Sequence, residues 1–126
     1  MVRVRADYGG FAAVADCYCG HDTLAGLATA VRGFPASPMD RREFALGAVD
    51  PGYAGGGAML RLGCADALGH VLVRVVLQTG GTEGGAEPDS AAFSFPVDAA
   101  AIDEFVAELG RMPMALGAMA TLRSAT

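Results

Sequence analysis

Residues Arg42–Gln78 read REFALGAVDPGYAGGGAMLRLGCADALGHVLVRVVLQ. This stretch decides the fold. Its second half is a hairpin that can be registered on paper. If Ala65 faces His70, then Cys64 meets Val71, Leu62 meets Val73 and Leu60 meets Val75. Successive side chains of a strand point to opposite faces, so these six apolar residues share one face. A slip of one residue would turn the whole set outward. The same register puts Arg61 opposite Arg74 on the other face, where like charges repel. Those two arginines need acidic neighbours, a partner or full solvation.

Working outward, Asp66-Ala67-Leu68-Gly69 is the hairpin loop, with Asp66 placed to bond local backbone in an Asx turn. Upstream, Phe44 and Leu46 alternate inward on a shorter strand. Asp50–Gly57 is a turn and a Gly-rich loop. It precedes a strand, not a helix, and the chain contains no Lys, so the context for phosphate binding is missing. Its glycines are read as supplying left-handed backbone angles or a bulge.

Toward the N-terminus, Val2 and Val4 alternate with Arg3 and Arg5, and Tyr8-Gly9-Gly10-Phe11 is a turn signal. A second arm follows over Ala12–Cys19. Asp22 is a candidate side-chain cap for a helix over Thr23–Arg32, with Leu24, Leu27, Ala28 and Val31 on one face. Gly33 is placed to end it in the left-handed region. Toward the C-terminus, the Gly-rich acidic run 79–90 leads to a strand with Phe93, Phe95 and Val97 inward. Asp98 then caps a helix over Ala99–Leu109, with Asp103 and Glu104 expected near its positive end and Gly110 and Pro113 as stops.

The expected fold class is α+β, in the order β-β-α-β-β-β-β-α. About six mostly antiparallel strands carry two helices on one face. The open face bears Arg61 and Arg74, joined by Arg3 and Arg5. Residues 1–113 are read as one domain. Residues 114–126 are read as a tail that is flexible or forms an oligomer contact.

Composition excludes several chemistries. With 126 residues, 14 acids and 9 arginines the net charge is -5, which disfavours nucleic acid and suits a basic protein partner. No apolar run reaches the roughly 20 residues of a membrane span. No secretory h-region opens the sequence, so a cytoplasmic location is expected. Three cysteines, an odd number, fit free thiols. The absence of Lys removes Schiff-base chemistry. No cofactor is expected, and no catalytic residue is assigned; an enzyme would need His70, Asp66 and Tyr53 to converge.

Cys17, Cys19 and His21 are the candidate metal ligands. A C-x-C-x-H spacing falls outside the common structural zinc patterns, and packing cysteines are the stronger reading. A metal-binding module on these three residues stands as the alternative function, beside a structural homo-oligomer such as a homodimer. Candidate partner-binding residues are Arg61, Arg74, Asp50, Asp66, His70, Glu83, Glu87 and Asp89.

The pattern Phe44-x-Leu46-Gly47, Asp50-Pro51-x-Tyr53-Ala54-Gly55-Gly56, Leu60-Arg61, Cys64-x-Asp66-x-x-Gly69-His70 resembles that of small bacterial proteins. The overall order of elements resembles the WapI-type immunity proteins, in which a strand pair and a helix precede an antiparallel sheet and a final helix. The resemblance spans about Val2 to Met112 as a layout. Trp before the first helix, frequent in that group, is absent. The resemblance implies a non-enzymatic cytoplasmic protein that binds and neutralises a cognate toxin.

Overall fold

The computed structural model describes residues 2–47, 56–80, 89–112 and 118–125. Eight elements follow in chain order: β1 (Val2–Tyr8), β2 (Phe11–Cys17), α1 (Thr23–Val31), β3 (Arg42–Gly47), β4 (Gly57–Cys64), β5 (Val71–Gln78), β6 (Ser90–Val97) and α2 (Ala99–Arg111). The fold is α+β with antiparallel strands, as the alternation predicts. The strands are shared between two sheets: a hairpin β1-β2 and a meander β3-β4-β5-β6.

The β1-β2 hairpin turns on Gly9 and Gly10, at φ 61° and 87°. Two successive positive φ values are what a two-residue turn needs to match the strand twist. Tyr8 therefore pairs with Phe11, Val4 with Ala15 and Val2 with Cys17. Ala15 and Cys17 are buried. The second arm stops at Cys17, two residues before its expected end. Arg3 and Arg5 do not join Arg61 and Arg74 on one open face, because they belong to this separate sheet. Each finds an acid there: Arg3 Nε lies 2.8 Å from Asp16 Oδ1, and Arg5 Nε lies 3.7 Å from Asp7 Oδ2.

The β4-β5 hairpin closes with Ala65 N–H donating to the His70 carbonyl at 2.7 Å, which fits the expected register. Along β5, Val71, Val73, Val75 and Leu77 are buried while Leu72 and Arg74 are exposed. Each such side chain contributes roughly 1.5–3 kcal/mol when fully buried. A one-residue slip would forfeit all four, so the register is firmly held.

Contacts group the chain into two compact units, interleaved along the sequence: residues 1–20, 43–61 and 74–94, and residues 21–42, 62–73 and 95–126. In the first, Ala15, Cys17, Leu46, Ala58, Val75, Leu77 and Phe93 are the buried apolar set. Backbones approach closely here. Gly56 N–H donates to the Asp16 carbonyl at 3.2 Å, and Gly56 bridges Cys17 in parallel. A Cβ on Gly56 would sit 2.7 Å from Asp16 O and 2.8 Å from Gln78 O. At Gly47, φ is 66° and a Cβ would strike the Gly56 carbonyl oxygen. Glycine is needed at both places because nothing larger fits.

In the second unit, α1 packs on α2. Leu27, Ala28 and Val31 of α1 are buried, as are Ile102, Phe105, Val106 and Leu109 of α2. The helix ends differ from expectation in three ways. Neither Asp22 nor Asp98 uses its side chain as a cap; their backbone carbonyls accept the opening helical bonds, from Gly26 at 3.0 Å and from Ala101 at 3.0 Å. Asp103 and Glu104 fall beyond the first turn of α2. Gly110 lies inside α2, which runs on to Arg111, a cation suited to the negative C-terminal end. Gly33, at φ 71°, follows α1 as predicted, and a cis peptide bond joins Phe34 to Pro35.

Within the expected tail, two hydrogen bonds tie residues 118–125 down. Thr121 N–H donates to Glu108 Oε2 at 2.6 Å, and Ala125 N–H donates to the Pro96 carbonyl at 2.9 Å. Pro96 stands on β6, an edge strand, where a missing N–H costs the sheet nothing.

Candidate functional site

The loop between β4 and β5 is clasped by one side chain. Asp66 Oδ1 accepts from Leu68 N–H at 2.9 Å and from His70 N–H at 3.3 Å. Asp66 Oδ2 lies 2.5 Å from His70 Nδ1. Gly69, at φ 82°, turns the chain back toward β5. An aspartate is suited to this position because its short carboxylate reaches backbone N–H groups two and four residues on. Three bonds to one carboxylate thus span the loop, and Leu68 at its tip is 83 % exposed.

Charge follows geometry. The imidazole of His70 holds the Asp66 carboxyl below its usual range, and the loop N–H groups add to this. Asp66 raises His70 above the usual imidazole value, first by the hydrogen bond and then by its charge; Asp98, at the start of α2, pushes the same way. Both side chains are exposed, so solvent screens the pair.

Arg61 and Arg74 resolve their like-charge conflict by turning to other strands. Arg61 Nε donates to Glu43 Oε2 of β3 at 3.0 Å, and Arg74 Nη1 donates to Ser94 Oγ of β6 at 3.2 Å. Nothing in the sequence says which strand lies beside β4, so Glu43 is identified as the partner of Arg61 by the structure alone.

Asp89 is exposed, and its backbone is knotted to Thr79. Thr79 N–H donates to the Asp89 carbonyl at 2.9 Å, and Asp89 N–H donates to Thr79 Oγ1 at 2.9 Å. Asp50, Tyr53, Glu83 and Glu87 lie outside the described residues.

Cys17, Cys19 and His21 are not gathered into a ligand set. Among the described residues, no three His, Cys, Asp or Glu side chains stand close enough to hold a metal ion. Cys17 is buried at the end of β2, with its thiol 4.0 Å from the Ala15 carbonyl. Burial pushes its pKa up to about 11, helped by the charges of Cys19 and Asp16. A thiol so placed is neither a ready ligand nor a nucleophile at neutral pH. Cys64 departs from its expected core position: it is half-buried, with Sγ 3.8 Å from the Ser37 carbonyl. The apolar face of the hairpin thins out there, at the last residue of β4.

No protein-family model, no curated protein and no solved structure matches this chain. Among the described residues, no helix is long and apolar enough to cross a membrane.

Proposed function

We propose that this chain is a small non-catalytic protein-binding protein, and that it neutralises a cognate bacterial toxin, as the resemblance to WapI-type immunity proteins implies. The observation that carries the binding reading is the Asp66-clasped loop with Leu68 at its tip. An apolar side chain held out by a pre-ordered loop loses little conformational freedom on docking, which favours recognition. The two side chains that bracket it, Asp66 and His70, are polar and exposed, as at the rim of an interface. The net charge of -5 supports a partner with a basic surface. The cytoplasm is the compartment this reading requires.

The experiment is co-expression with the toxin encoded beside the gene, if one is, followed by co-purification. Protection and a stable complex, both lost in Leu68→Asp, support the reading. Absence of both protection and complex with the wild-type chain overturns it. Leu68 is exposed, so the substitution leaves the fold intact.

A further inference from the structure

We infer that the Ala65–His70 tip is a pH-responsive presentation loop, in which a proton on His70 tightens a second clasp on Asp66 and so steadies Leu68. This deepens the binding reading above, since the loop is the proposed recognition element, but its test needs no partner.

The two clasps are separable. Asp66 Oδ1 serves the backbone, accepting from Leu68 and His70 N–H. Asp66 Oδ2 serves the ring alone, 2.5 Å from His70 Nδ1. The first clasp needs only an acceptor oxygen. The second is strengthened by charge: an N–H between imidazolium and carboxylate is about twice as strong as its neutral counterpart, less what solvent screens at this exposed pair. Neutral imidazole can still donate from Nδ1, so deprotonation loosens the loop and does not unfold it. The charged groups that act on the ring are Asp66, within the loop, and Asp98, which precedes α2; both are acids, and both favour the protonated ring.

The pH window follows from the signs. A group with a raised folded-state value contributes its full stabilisation below the ordinary imidazole value of about 6.5 and loses it as pH rises through the raised value. Asp66 has a lowered value, so its contribution is full above about 3.9 and is lost as pH falls through the lowered value. The loop is tightest between those limits and slackens as pH rises through the raised imidazole value.

The test is an NMR titration of the free protein, following the His70 ring and the Leu68 and His70 backbone amides. The expected result is one shared step, centred above about 6.5, in the ring and both amides. In Asp66→Asn the amide oxygen keeps the backbone clasp, yet the ring titrates near its ordinary value and the Leu68 amide is flat through that range. A wild-type ring titrating at or below 6.5, or a Leu68 amide that ignores the ring, overturns the inference. A shared step in a chain that protects no cell from toxin would leave the loop mechanism standing and remove the binding reading.

Discussion

Arg42 and Asp40 lie two residues apart and close a forked ion pair, Nε to Oδ1 at 3.3 Å and Nη2 to Oδ2 at 2.9 Å. The same guanidinium continues past the carboxylate. Its Nη1 donates to the carbonyls of Ala30 at 3.2 Å and Arg32 at 2.6 Å, and the group stands 5.3 Å from the centre of the Phe34 ring. Carbonyls at a helix C-terminus have no partner within the helix. Arg42 therefore finishes α1 from outside, while Asp40 holds it in position and accepts from Ala36 N–H at 2.8 Å.

Arg42→Ala strips several bonds at once. Leaving a part-buried carbonyl unpaired costs roughly 1–3 kcal/mol. Arg42→Lys recovers only part of this, since an ammonium is a point charge without the planar fork. Chemical denaturation of the three proteins checks both expectations.

Acid weakens the same corner. The Arg42 guanidinium, and then Ala36 N–H, hold the Asp40 carboxyl below the usual carboxylate range. A lowered folded-state value means that the stabilisation is present above about 3.9 and is lost as pH falls through the lowered value. Asp40→Asn should flatten part of the acid limb of the stability curve, measured by thermal unfolding across acidic pH.

Two glycine substitutions should move stability in opposite directions. Gly56→Ala drives a methyl against the carbonyl oxygens of Asp16 and Gln78, where overpacking costs roughly 1–3 kcal/mol or more. Gly110→Ala adds a methyl to an exposed helical position with nothing within 4 Å, and should gain up to about 1 kcal/mol. Equal shifts in both variants would contradict the close backbone approach at Gly56 and the open surface at Gly110.

The thiols should separate by reactivity. With its pKa near 11 and its side chain buried, Cys17 should resist a thiol-specific reagent at neutral pH in the native protein, and should react after denaturation. Mass spectrometry of the labelled peptides reads this directly. Rapid native labelling of Cys17 would place β2 elsewhere.

Glu43 screens Arg61, so Glu43→Lys should restore the repulsion that the hairpin register creates. Both side chains are 55 % exposed, and the loss should be small at ordinary salt and should fade as ionic strength rises. A loss independent of salt would point to packing instead of charge.

The sequence by itself determined the elements. Strand alternation, the Gly9-Gly10 turn, the β4-β5 register and the apolar stripes of both helices are local periodicities, and a single pass along the chain reads them. Asp66 was legible as a loop-bonding residue for the same reason: its partners lie two and four residues away. The tertiary structure alone decided which element lies beside which. It separated Arg3 and Arg5 from Arg61, assigned Glu43 to Arg61 and Arg42 to the end of α1, and left Cys64 half-buried. Those outcomes join residues 10 to 27 positions apart. Pairing across such distances is set by how whole faces bury against each other, and no local pattern carries it.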